Sequence, residues 1–181
     1  SGGDTNWTGL LKAIGHIATS VSFPIVVKEV GAGISGRVAR QLVDAGVSVI
    51  DVAGAGGTSW AAVEAERAPT EQLRTLGLAF RDWGIPTATC VRAARAACPG
   101  TTIVASGGIR DGLDCAKAIR IGADMAGIAA GLLTPALDGS AALARTLSGI
   151  VDQLRITCFC TGSRTLGDLA TARLVGDGGC T

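Results

Sequence analysis

Apolar residues in this chain fall into two alternating patterns, short β-branched runs and longer stretches with helical spacing, and glycine turns separate them. Phe23-Pro24-Ile25-Val26-Val27 reads as a buried parallel strand, entered through a proline and left through Gly31-Ala32-Gly33. Ser35 then caps a helix whose apolar positions Val38, Ala39, Leu42 and Val43 recur on one face, and Gly46 stops it. Residues 47–52 form the next strand, with the Gly54 to Gly57 turn after it. Thr70 caps a helix carrying Leu73, Leu76 and Phe80 that stops near Gly84. Residues 85–89 are a short third strand and residues 91–97 its helix. Residues 101–106 are a fourth strand closed by Gly107-Gly108, and Asp111 or Gly112 opens a helix around Cys115, Ala118 and Ile119. Residues 125–129 supply a fifth strand. Past Leu133, residues 141–154 and 166–174 have helical spacing, with the loop 160–164 between them.

Strand–helix alternation with short loops implies right-handed crossovers and a parallel sheet, so the class is α/β. A doubly wound sheet and a (β/α)8 barrel both satisfy that pattern. Here every glycine-rich or charged turn follows a strand, and no G-x-G-x-x-G follows the first one, which favours the barrel. A complete barrel typically takes roughly 250 residues. With 181 residues and five strands, the chain reads as a TIM (β/α)8-type barrel truncated to its later βα units, one partial domain over residues 1–181. A chain that starts at Ser1 rather than Met suggests a fragment, a processed form or an expressed piece.

Composition narrows the partners. The chain is 48% hydrophobic, enough to bury one core, and its 16 basic and 15 acidic side chains give a formal charge of +1. No block of like charge marks a nucleic-acid or anionic-membrane footprint. Aromatics are 3% of the chain, so no stacking platform for single strands stands out. No apolar run reaches the roughly 18 residues of a membrane helix. The expected protein is soluble, with small molecules or protein as its partners. The six cysteines lack C-x-x-C spacing, which points to reduced thiols and a cytoplasmic setting, and a single histidine, His16, makes a Cys/His metal site improbable.

Candidate chemistry sits at the strand ends. Lys28 closes an apolar strand, where burial is costly unless an anion meets it; the anion is a ligand, or a structural partner in Glu29 or Asp51. Ser106-Gly107-Gly108-Ile109-Arg110 offers glycine backbone that a ligand can approach, then a guanidinium and a helix start, a combination suited to phosphate or to a plain tight turn. Gly127-Ile128-Ala129-Ala130-Gly131 closes the neighbouring strand, as in barrels whose late strands share a phosphate site. Thr58, after Gly56-Gly57, can bond a ligand's polar edge or cap a helix. His16 lies in the amphipathic stretch 10–18 and reads as a helix-face residue.

The segments PIVVKEVGAGIS, DVAGAGGTSWAAVEAERA, WGIPTA, ASGGIRDGLDCAKAIRIGAD and FCTGSRTLGDL closely resemble the C-terminal half of type 2 isopentenyl-diphosphate isomerase, an FMN-dependent (β/α)8 barrel family. The resemblance runs from about Asp4 to Val175. It implies interconversion of isopentenyl and dimethylallyl diphosphate in isoprenoid biosynthesis, with FMN that must be reduced, NADPH as reductant and Mg²⁺ on the diphosphate. It implies that Lys28 faces the flavin ring, that Ala53 and Thr58 contact flavin, and that Gly108, Ile109, Arg110, Ala129 and Ala130 hold its phosphate. It assigns no catalytic side chain and no metal ligand here. Family members carry a Gln-x-Glu-Gly-Asp segment whose Gln serves the substrate and whose Glu serves the metal; this chain reads Ser1-Gly2-Gly3-Asp4, without the Gln and with Gly2 in place of the Glu. The family's front strands are missing too, so isomerisation by this chain alone is not implied.

Two other functions compete. FMN-dependent 2-hydroxy-acid oxidases share the strand lysine and the SGGIRDG-like turn, but they need a histidine base where this chain has Asp51-Val52-Ala53-Gly54. A non-catalytic half-barrel binding a phosphate ligand is the third, and its open sheet edges predict a homo-oligomer.

Overall fold

The computed structural model describes residues 5–174. In chain order the elements are α1 (Leu10–Ser20), β1 (Val26–Lys28), α2 (Gly36–Asp44), β2 (Val49–Asp51), α3 (Trp60–Glu66), α4 (Glu71–Ala79), α5 (Thr87–Ala97), β3 (Thr102–Ala105), α6 (Gly112–Arg120), β4 (Met125–Ala126), α7 (Ala130–Leu137), α8 (Ser140–Cys160) and α9 (Leu166–Thr171). The four strands form one parallel sheet in the order β1-β2-β3-β4. Each strand therefore pairs with the next in sequence, with helices between them, as the strand–helix alternation predicts.

Register makes the two faces of the sheet unlike. Val27, Ile50 and Ile103 lie side by side, and Ile50, Ile103 and Ala105 are buried against Ala39 and Leu42 of α2 and Cys90, Val91 and Ala94 of α5. The alternate positions run Lys28, Asp51, Val104, Met125 across the sheet, with Val26 and Val49 beside them. That second face is uncovered: Val26 is 57% and Met125 50% exposed. A smaller cluster, Ala116, Ile119 and Leu169, joins α6, α8 and α9.

Capping follows the sequence signals. Ser35, Thr70 and Asp111 accept hydrogen bonds from the N–H of Val38, Leu73 and Asp114, so the three expected caps open α2, α4 and α6. Ser59 caps α3 in the same way, and Thr165 with Asp168 forms a capping box at α9.

Several element expectations need correction. Residues 85–89 are not a strand: one isolated bridge pairs Ala55 with Pro86, and Thr87 already opens α5. Pro86 has no N–H for a ladder, and its φ of −54° leads into the helix instead. The strand expected over 125–129 ends at Ala126, because the chain turns away and α7 begins at Ala130. α3 was anticipated only as the alternative in which Thr58 caps a helix, α7 was not anticipated, and α8 runs on to Cys160, which shortens the loop expected over 160–164.

The end of the sheet remote from the strand-closing turns is held by Arg95. Its Nη2 lies 2.6 Å from Asp124 Oδ2, its Nε donates to the Gly122 carbonyl at 2.8 Å, and its Nη1 to the Thr101 carbonyl at 3.0 Å. The same Asp124 oxygen accepts the Ile103 N–H at 2.7 Å, joining the starts of β3 and β4.

Candidate functional site

The C-terminal ends of all four strands open into one cleft of about 710 Å³. Lys28, Ala53, Thr58, Gly108, Ile109, Arg110, Ala129 and Ala130, the eight residues singled out from sequence, all line it, together with Asp51 and Ser106.

Lys28 brings a cation to the cleft. Its Nζ donates to the Glu29 carbonyl at 2.7 Å, and among the described residues no carboxylate forms an ion pair with it. Both structural partners considered from sequence are engaged elsewhere. Glu29 Oε2 accepts the N–H groups of Gly31, Ala32 and Gly33 at 2.6, 2.5 and 3.0 Å, a nest that fixes the loop after β1. Asp51, directly across the register from Lys28, uses Oδ1 to accept the Ser106 hydroxyl at 2.5 Å and the Ala53 N–H at 3.2 Å.

The Asp51 contact shapes the next turn. By holding the N–H two residues on, it closes an Asx turn, and Ala53 adopts φ +33°, the one positive φ at a non-glycine among the described residues. The Ala53 carbonyl in turn accepts the Gly33 N–H at 3.1 Å, so the loops after β1 and β2 are tied together.

The glycine turns after β2 and β3 pack on each other. A Cβ on Gly107 would run into the Gly54 carbonyl, one on Gly108 into the Gly56 carbonyl, and one on Gly57 would lie 2.8 Å from the Gly108 nitrogen. These glycines thus bring two stretches of backbone together as well as presenting backbone to the cleft. Thr58 does not cap α3, since Ser59 does, and its side chain is left in the cleft wall.

Arg110 reaches the cleft already paired. Its Nε lies 3.2 Å from Asp114 Oδ2 while the side chain stays 80% exposed. Asp114 also accepts the Arg110 N–H at 3.3 Å and faces Lys117 at 3.5 Å. Burial works to raise the Asp114 carboxyl, but the hydrogen bonds and charge of Arg110, with Lys117, outweigh it and hold the group below the usual carboxylate range. Ala129 and Ala130 form the start of α7, which has no side-chain cap, and both line the cleft with Gly131.

His16 lies on α1, exposed and outside the cleft lining. Burial pushes the Cys90 and Cys115 thiols up, which keeps them protonated. Ser1 to Asp4, with Gly2 at the position of the family's Glu, lie outside the described residues. The sequence reading missed the Asp51–Ser106 bond and the Glu29 nest; the acidic residues at the ends of β1 and β2, next to glycine turns rich in N–H donors, were the available signal.

Residues 4–176 match the sequence profile of the family described as FMN-dependent dehydrogenase. The chain belongs to that family. Its curated relatives include the isopentenyl-diphosphate delta-isomerase of Stutzerimonas stutzeri, 57% identical over 97% of this chain and 51% of that protein. The enzyme of the same name from Cronobacter sakazakii is 52% identical over 98% of this chain and 52% of that protein. The chain spans about half the length of the curated relatives it matches. Among solved structures, lactate oxidase from Pediococcus acidilactici superposes with a TM-score of 0.69 at 20% identity, covering 91% of this chain and 40% of that one. Mandelate oxidase gives a TM-score of 0.68 at 19% identity over 90% of this chain and 40% of that one. At that identity the likeness shows the fold, and this member of the FMN-dependent dehydrogenase family is an arc of a (β/α)8-type barrel.

Proposed function

We propose that this chain carries the flavin site of an FMN-dependent isopentenyl-diphosphate delta-isomerase, converting isopentenyl to dimethylallyl diphosphate. The observation that carries the reading is the meeting of all eight candidate residues in one cleft whose lysine has no carboxylate partner among the described residues, in a chain 57% identical to a protein of that name.

The residues present fit FMN. Lys28 offers a cation that would favour an anionic flavin ring, and Asp51, turned toward Ser106 and Ala53, leaves that charge uncompensated at ion-pair distance. Gly108 to Arg110 and the uncapped start of α7 offer N–H groups and a guanidinium to the phosphate. Arg110 would divide its charge between that phosphate and Asp114. Bound and reduced, the flavin would supply the acid–base group that moves an allylic proton. NADPH as reductant and Mg²⁺ with the diphosphate belong to the same proposal. Among the described residues no three His, Cys, Asp or Glu side chains come together to hold a metal ion, so Mg²⁺ would draw its ligands from the diphosphate and from residues outside these. A cytoplasmic setting and self-association complete it; the five described cysteines are all free thiols, and one face of the sheet is uncovered. No helix of the described residues is long and apolar enough to cross a membrane. The oxidase alternative is not favoured, because it needs a histidine base and His16 lies outside the cleft.

Titration of the purified chain with FMN, followed by flavin fluorescence, tests the site. Saturable binding is expected, weakened roughly tenfold to a hundredfold by Lys28→Ala and about tenfold by Arg110→Ala, the scale of one charge-assisted contact. Wild-type-like affinity in both variants would overturn the site assignment. Conversion of isopentenyl diphosphate under reducing conditions, followed by proton NMR, tests the reaction separately.

A further inference from the structure

We propose that Thr87 is a positioning residue for the candidate phosphate turn, a role that rests on the flavin reading above. Thr87 does not line the cleft. It is the first residue of α5, yet its hydroxyl lies 2.6 Å from the Gly107 carbonyl and 3.3 Å from the Ser106 carbonyl, about twenty residues further along the chain. Its own N–H donates to the Ala55 carbonyl at 3.2 Å. One residue therefore bonds both strand-end turns, the one after β2 and the one after β3.

Gly54 makes room for this arrangement. A Cβ there would come within 2.6 Å of the Thr87 nitrogen and of its Oγ1. The hydroxyl thus sits in a slot whose near wall is bare backbone.

The consequence for the cleft comes from peptide geometry. A trans peptide is planar, so the Gly107 carbonyl and the Gly108 N–H point in opposite directions. Anchoring the carbonyl on Thr87 sets the direction of the Gly108 N–H. Gly108 lines the cleft with positive φ, at +81°, and Gly107 has φ +94°, so neither residue has a side chain to hold the peptide plane in place. What Thr87 holds is the orientation of a backbone donor at the wall where the phosphate would sit, without touching the ligand.

The test separates the hydroxyl from the packing and the phosphate from the ring. Thr87→Val keeps the branched shape and removes the donor; Thr87→Ser keeps the donor. FMN and riboflavin are each titrated against wild type and both variants, with urea unfolding to confirm that the variants fold. Thr87→Val is expected to weaken FMN about tenfold, the scale of one hydrogen bond to an ionic group, while riboflavin affinity stays within about twofold. Thr87→Ser is expected to stay within about threefold of wild type for FMN. In the flavin-free chain, the Gly107 and Gly108 amide shifts should move in Thr87→Val and not in Thr87→Ser. An equal loss of FMN and riboflavin, or unmoved glycine shifts, overturns the positioning role. A wild type that binds FMN no better than riboflavin overturns the phosphate reading itself, and the role falls with it.

Discussion

Gly107 meets Gly54 backbone to backbone: a side chain at Gly107 would push apart the two turns that wall the cleft, and one at Gly54 would run into Thr87. Gly107→Ala has two costs, a Cβ driven into the Gly54 carbonyl and an L residue held at φ +94°. The expected destabilisation is roughly 2–4 kcal/mol, read as a lower urea midpoint with an unchanged slope. Gly100 is the control: a Cβ there meets nothing within 4 Å, so Gly100→Ala is expected to be neutral or to stabilise by up to about 1 kcal/mol. At this scale the sequence picked out residues that line the candidate cleft but not their supports. Lys28 was legible as a polar residue closing an apolar run, and Thr58 and Arg110 as polar residues that follow paired glycines after a strand. That Gly54 and Gly107 touch, that Thr87 bonds Gly107 and that Asp51 bonds Ser106 depend on strands brought side by side by the fold, and no local spacing encodes such contacts.

Among the elements, β2 and β3 form the centre of the sheet, and their Ile50 and Ile103 are neighbours in register with no exposed surface. Ile103→Ala should cost about 2–5 kcal/mol, transfer plus cavity, because the helices packed over it can collapse only in part. Urea unfolding measures it, and Thr102→Ala on the uncovered face should change stability by far less. Buried strands of this kind were readable: residues 47–52 and 101–106 contain β2 and β3, and residues 23–27 overlap β1, because β-branched runs closed by glycine have few other uses. The run 85–89 misled because an apolar residue and a threonine flank Pro86, whose geometry instead starts α5. α3 has seven residues and α7 carries an internal proline at Pro135, so neither presents the sustained 3.6 period that marks a helix from sequence alone.

For the whole molecule, the arc leaves two problems unsolved by its own described residues: β1 and β4 are edge strands, and the face bearing Val26 and Met125 is open. Edges that present free N–H and C=O groups pair with other chains unless something covers them. The order β1-β2-β3-β4 with every strand parallel has a further property. A two-fold axis along the strands would set β4 of one copy beside β1 of the next, keep all strands parallel, and bring the count to the eight of a closed barrel. The chain by itself is therefore expected to self-associate as concentration rises, in sedimentation velocity over a range of loading concentrations. Val26→Lys puts a charge on the exposed side of β1 without touching the buried face, so it should shift the equilibrium toward monomer while leaving urea stability near that of the wild type. A monomer at every concentration would show that the open face is stable in water as it stands. Association unaffected by Val26→Lys would place the contact elsewhere, at the exposed Leu133, Leu137 and Phe159 of α7 and α8.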